Sequence, residues 1–341
     1  MTFRNTRPIL AAALSLLAVI ACKKEEETST LPSLEGSVKF NLDPYLLPGA
    51  TVRMTPGGAV NPSGGHISYS WKINPGDVAD TTNVDSHPDP AFEYTFKTDL
   101  KTYTVSCTAF SDGYYSTSTT KYTTIVKGGI DGTGSITGID PSEFNTVVDV
   151  RDSDNHKTYY YTTAGQLDWF IHNLAYSGSG SSTVGIPYEN AEAMTDVLGL
   201  YYNYEEALTA CPEGWRLPTA SEWEDCFGMD IIKSSGALMG DVYFNGTRMW
   251  DYWPDVYVDP DSGDKTAFNA LPAGYANIES GSFKGAYERA VFWVKDDSAN
   301  ASDNATTAPV KIIISNARDV QTFMADKTSF GASVRCVRNT I

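Results

Sequence analysis

The stretch Cys211-Pro-Glu-Gly-Trp-Arg-Leu-Pro-Thr-Ala-Ser-Glu-Trp223 decides how this chain is read. Pro212 and Pro218 fix φ and lack a backbone N–H, so no helix runs through them. Thr219-Ala220-Ser221-Glu222 has capping-box spacing, which predicts a helix starting just after Thr219. Trp215 and Leu217 are large apolar residues inside the turn and are expected in a core. The stretch therefore predicts one helix ending, a rigid turn and a second helix beginning.

Outward from it, Val147 to Asp152 and Lys157 to Tyr161 read as a short hairpin. Leu167 to Leu174 follows, and Tyr201 to Ala207 leads into the helix that ends near Cys211. Downstream stand Phe268-Asn269-Ala270-Leu271-Pro272-Ala273-Gly274-Tyr275, then Phe292-Trp293, then Ser333-Val334-Arg335-Cys336. In this order the pieces resemble the Fibrobacter succinogenes major paralogous domain. Six motifs agree: Asp149 to Tyr159, Trp169 with Asn173-Leu174, Tyr204 to Trp223, Leu271 to Tyr275, Phe292-Trp293, and Ser333 to Cys336. The likeness runs from Val147 to Arg338. The Gly/Ser run Ser177 to Thr183, the Asp230 to Asp264 loop region and Cys226 depart from the pattern.

The resemblance implies an α+β, C-type-lectin-like domain over residues 144–341, its two ends paired in a small sheet. It also favours one pairing among the cysteines. Of the five, Cys22 directly follows the leader and is set aside as the lipidation site, and the other four allow three pairings. The resemblance implies Cys211 with Cys336, a closure worth roughly 4–5 kcal/mol by chain entropy. Cys226 is expected free and buried, and Cys107 reads as a small core residue of an alternating strand. No Cys-x-x-Cys occurs, so neither a zinc ribbon nor a thioredoxin-type site is expected.

Residues 36–127 alternate apolar and polar with period two, between Pro/Gly turns such as Pro48-Gly49 and Pro62-Ser63-Gly64-Gly65. Strands are predicted over Val38 to Leu42, Ala50 to Met54, Ile67 to Ile73, Phe92 to Phe96, Thr102 to Phe110 and Thr119 to Val126. Short strands at this spacing suggest a β-sandwich. Tyr69-Ser70-Trp71 and Tyr103 to Cys107 resemble core strands of PKD-like, immunoglobulin-type domains, which implies a spacer or adhesion module. The fold class expected is thus multidomain, an all-β PKD/Ig-like unit followed by the α+β domain. Residues 128–143, opening with Gly128-Gly129-Ile130-Asp131-Gly132-Thr133-Gly134, read as a flexible linker.

At the start, Arg4 and Arg7 precede a short apolar run from Ile9 to Ile20, the pattern of a signal peptide over residues 1–21. Val19-Ile20-Ala21-Cys22 resembles a bacterial lipobox, which makes Cys22 the lipidation site and a lipid bilayer a partner. Residues 22–35 read as a tether, in which Lys23-Lys24-Glu25-Glu26-Glu27 resembles the export signal of surface lipoproteins in Bacteroidetes-type bacteria. An outer-membrane, surface-exposed lipoprotein is expected. The formal net charge of −17 argues against nucleic acid and anionic membrane surfaces as partners.

Trp250, Asp251, Tyr252, Trp253 and Tyr257, near Tyr243 and Phe244, form the densest aromatic cluster. Flat rings beside carboxylates suit sugars, whose C–H faces stack while hydroxyls bond to Asp. Packing of the loops onto the sheet is the competing and commoner role. Asp259, Asp261 and Asp264 could place oxygens around Ca²⁺, and so could Asp149, Asp152 and Asp154. A solvated acidic turn explains them as well, since EF-hand spacing fails. No other cofactor is expected. The histidines His66, His87, His156 and His172 show no ligand spacing, and no nucleophile–base pattern is readable. The function expected is a non-catalytic adhesion or binding module for glycan or for an envelope or host protein. A structural envelope or fimbria-like assembly component is the first alternative. An enzyme related to sulfatase-modifying factors is the second.

Overall fold

The computed structural model describes residues 30–75, 81–84, 90–130, 132–152, 156–179, 182–227, 235–251, 267–298, 304–317 and 319–340. The chain is β-rich and built from several sheets. Its N-terminal unit contains β1 (Glu35–Lys39), β2 (Tyr45–Leu46), β3 (Thr51–Met54), β4 (Gly57–Val60), β5 (Ser68–Asn74), β6 (Thr81–Val84), β7 (Phe92–Thr95), β8 (Thr102–Phe110) and β9 (Thr117–Ile125). A five-stranded sheet has the order β2-β9-β8-β5-β6, with β2 parallel to β9. The pairs β1-β4 and β3-β7 stand apart from it. The alternation in β5 and β8 buries Tyr69, Trp71 and Ile73 together with Tyr103, Val105, Cys107 and Ala109. These share one core with Val38, Met54 and Phe96. Cys107 is free, and burial pushes its thiol up to about 12.

The C-terminal unit opens with β10 (Ile136–Thr137), β11 (Asn145–Asp149), β12 (Lys157–Ala164) and β13 (Leu167–Phe170). The short strands β14 (Gly178–Ser179), β15 (Ser182–Thr183) and β16 (Ile186–Pro187) follow, then α1 (Thr195–Leu198), β17 (Leu200–Tyr201), α2 (Tyr204–Thr209) and α3 (Ala220–Phe227). The remaining strands are β18 (Tyr243–Phe244), β19 (Thr247–Arg248), β20 (Tyr275–Asn277), β21 (Ser282–Lys284), β22 (Arg289–Trp293), β23 (Thr307–Ile314), β24 (Gln321–Asp326), β25 (Phe330–Gly331) and β26 (Val337–Asn339). Strands β11, β12 and β13, near the start of the unit, share a sheet with its last strand β26, so the two ends of the unit meet.

The expected helix–turn–helix is present. The Thr219 hydroxyl accepts from Glu222 N–H at 3.1 Å, and the Glu222 carboxylate accepts from Thr219 N–H at 2.9 Å. A second reciprocal cap, Asn203 with Glu206, starts α2. Trp215 and Leu217 are buried, and Trp223 packs edge-on to Trp169.

The Gly-rich linker is not a flexible boundary. Ile130, Ile136 and Ile139 are buried in the C-terminal core, and β10 pairs with β18 in the sheet β10-β18-β19. Gly128 lies so close to α1 that a Cβ there would stand 2.3 Å from that of Asp196. The glycine thus permits close approach rather than freedom. The β18–β19 hairpin turns at Asn245-Gly246, both with positive φ. Asn245 then donates its backbone N–H to Ser135 O at 2.9 Å and its side-chain amide to Ile125 O at 3.2 Å. Tyr45 of the N-terminal unit lies against Tyr188 and Phe244, ring centroids 6.0 and 6.5 Å apart. A hairpin tip and an aromatic contact thus join the units.

Candidate functional site

The disulfide joins Cys211 to Cys336 across 125 positions. Arg335, beside it, is wholly buried. Its Nε donates to Asn173 Oδ1 at 2.9 Å, Nη1 to the carbonyls of Phe170 (3.1 Å) and Phe268 (2.9 Å), and Nη2 to that of Asn269 (2.9 Å). The guanidinium also lies over the Phe268 and Phe292 rings. Asn173 in turn donates to Leu198 O at 2.8 Å. Ala267 and Asn269 hold positive φ, which aims the carbonyls of that loop at the guanidinium. Gly274 follows where a Cβ would meet Lys284 O at 2.2 Å. The Phe268 to Tyr275, Asn173-Leu174 and Ser333 to Cys336 motifs therefore form one clamp.

Matching of the sequence to protein families places residues 162–338 in the Fibrobacter succinogenes major domain. This chain belongs to that family. The match starts inside β12, so the hairpin strand β11 precedes it. Comparison with curated proteins and with solved structures returned no match. In this family member the recognisable motifs build the frame, and their side chains point into cores and turns.

The site residues expected from sequence fare differently. Trp250 is 2% exposed and its indole N–H donates to Gly240 O at 3.1 Å, so it offers no face to a sugar. It is a core residue, a correction to the aromatic-platform expectation. Its hydrophobic area outweighs the local pattern of alternating rings and carboxylates that suggested a surface. Asp251 is exposed but accepts from the Ser315 hydroxyl at 2.8 Å. Tyr252, Trp253, Tyr257, Asp259, Asp261 and Asp264 lie outside the described residues, as do Cys22, His87 and Asp154. Asp149 is buried and taken by Arg151, whose Nη2 approaches to 2.6 Å. Burial works against its charge, but Arg151 more than offsets this and holds the carboxyl below the usual range. It is no free ligand for Ca²⁺. Among the described residues no group of three or more His, Cys, Asp and Glu side chains converges to hold a metal ion.

Cys226 is free and half-buried beside Glu222 and Asp225. Its thiol donates to Ala164 O at 3.2 Å. Burial raises its pKa, and the two carboxylates add to the rise. The sulfur is held as a thiol, not as an activated thiolate.

The described cavity with the most ligand-like lining opens at the joint of the two units, with a volume of about 460 Å³. Its floor is buried: Tyr159, Asn173 and Leu271. Its rim is polar: Lys127 from the N-terminal unit, and His156 and Asp196 from the C-terminal one. Lys157 forms an ion pair with Asp196 there. Apolar floor, polar rim and a fixed frame are what small-ligand sites share.

His172 also lines this cleft, stacked on Tyr159 with centroids 5.3 Å apart. Its Nε2 accepts Tyr160 N–H at 3.1 Å, which requires a neutral ring. Burial and then the Arg335 charge push its pKa down to about 3. Because the folded value is depressed, its contribution is complete above the ordinary value near 6.5 and is lost as pH falls toward 3. The unfolding free energy from urea titrations between pH 7 and 4 is expected to fall by about 1 kcal/mol per pH unit from this group. His172→Gln, which keeps an acceptor, should flatten that slope; an unchanged slope refutes the assignment.

Proposed function

We propose that this chain is a lipid-anchored, surface-exposed envelope protein that binds glycan or protein without catalysis. In this reading the N-terminal unit is a PKD/Ig-like sandwich and the C-terminal unit a C-type-lectin-like domain. The paired ends of the C-terminal unit and the parallel β2–β9 edge of the first sheet support that assignment. The leader sequence up to Cys22 supports the anchor. The observation that carries the binding role is the composite cleft, lined from both units beside a joint made by the Asn245–Ile125 hydrogen bond and the Tyr45 ring contacts. A spacer merely strung to a domain would leave no such cleft; a packed joint presents one preorganised surface.

The test is a glycan and envelope-protein array probed with the intact protein and with Tyr160→Ala, which opens the cleft wall without touching the Arg335 clamp. A hit weakened at least about tenfold by the substitution is expected. Hits that ignore the substitution, or no hits at all, count against the cleft. A protein that binds nothing but self-associates and resists dilution would favour the assembly alternative. The strand β24 points that way: it is an outer strand of its sheet, with Phe323 57% exposed and Met324 beside it.

A further inference from the structure

The sheet β22-β23-β24 ends at β24, whose outer side pairs with no other strand among the described residues. Gln321, Thr322, Phe323, Met324 and Asp326 are exposed, and only Ala325 is buried. Phe323 is 57% exposed and Met324 47%. Val320 to Ala325 holds no charge and no proline, two devices by which edge strands ordinarily avoid one another.

The register fixes which backbone groups that edge offers. Lys327 N–H donates to Thr306 O at 2.9 Å, and the pairing continues as Asp326 with Thr307 and Phe323 with Val310. Antiparallel bonding alternates, so Phe323 and Ala325 spend their N–H and C=O on β23, while those of Thr322 and Met324 point away from the sheet. On a chain of net charge −17, two copies repel over most of their surfaces. An uncharged run is where they meet with least repulsion. Asp319 precedes the run and Lys327 follows it, so an antiparallel copy centred on Phe323 sets opposite charges together at both ends.

We propose that β24 pairs antiparallel with β24 of a second copy of this chain, about a two-fold axis at Phe323. Thr322 then exchanges hydrogen bonds with the partner's Met324, and Met324 with the partner's Thr322. Phe323 stands opposite the partner's Phe323 as a non-hydrogen-bonded pair, the arrangement in which side chains approach closest. An axis at Thr322 or at Met324 satisfies the same edge groups but separates the two rings. A glycan cannot complete a backbone ladder. A ladder of six residues falls below the roughly 1,200 Å² of a stable complex, so the dimer is weak and dissociates on dilution. Copies fixed on one surface, as the proposed anchor would fix them, meet at a raised effective concentration. No residue of β24 lines the cleft at the joint, so the pairing rests on neither reading of the function.

The test is sedimentation of the intact protein between about 5 and 500 µM, where a reversible dimer with a dissociation constant on the order of 10–100 µM is expected. Phe323→Lys should weaken it at least about tenfold while the melting temperature holds, because the side chain is exposed and a lysine blunts an edge. If that variant melts early, Met324→Lys, on the opposite face of the strand, replaces it. The register is read separately by mild oxidation and mass mapping, which tells a new link from the free Cys107 and Cys226. Phe323→Cys should link to its own copy, and Gln321→Cys should not. Tyr160→Ala should leave the dimer unchanged, which separates this pairing from binding at the cleft. A protein that stays monomeric across the range overturns the proposal, whatever other strand it accepts. Undiminished association in a folded Phe323→Lys or Met324→Lys variant, or Gln321→Cys linking as readily as Phe323→Cys, does so as well.

Discussion

Arg335→Met should cost the fold on the order of 4 kcal/mol or more, the largest effect expected of any single substitution in the clamp. Methionine preserves much of the apolar stem but removes every donor. The carbonyls of Phe170, Phe268 and Asn269 and the Asn173 side chain would then be buried without their partner. Each orphaned acceptor costs about 1–3 kcal/mol, and no water path replaces a wholly buried guanidinium. Arg335→Lys should fare little better, because a single ammonium cannot span acceptors arranged for a fork. Urea unfolding read by tryptophan fluorescence measures this directly. A loss below about 1 kcal/mol would show that the clamp relaxes around the gap.

Removing the cross-link comes second. Cys211→Ala with Cys336→Ala opens a closure spanning 125 positions, for which chain entropy alone gives roughly 5 kcal/mol and measured cases about 2–5 kcal/mol. The native side keeps some support. Arg151 donates to Cys211 O at 3.1 Å, and Phe170 N–H donates to Cys336 O at 3.0 Å. A reductant should lower the urea midpoint of the wild-type protein to that of the double variant. The N-terminal core around Trp71 shares no residue with the cross-linked cluster, so the effect should register in probes of the C-terminal unit first. An unchanged midpoint under reductant would contradict a structural role for the bond.

Much of the framework was legible because it rests on local rules. Period-two burial marked β5 and β8, Thr219 to Glu222 marked the start of α3, and the ordered motifs marked the family. Two local signals were present but unread: Asn203-x-x-Glu206 as a cap and Asn245-Gly246 as a type of hairpin turn. The misreadings share one cause. Gly128 to Gly134 has the composition of a flexible tether, yet glycine serves equally where two backbones must nearly touch. Trp250 sits among rings and carboxylates in sequence, but its neighbours in space are Gly240 and the core.

By itself, the order of residues determined the alternating core strands β5 and β8, the turn into α3 with the cap that starts it, and which family the chain joins. Those depend on neighbours within a few positions, where backbone sterics, caps and alternation act. Only the tertiary structure decided that Arg335 is a buried clamp, that the linker is part of a sheet, and that a cleft lies at the joint. Each of those depends on groups tens to more than a hundred positions apart arriving at one place. Burial, carbonyl direction and charge balance exist only once they have arrived.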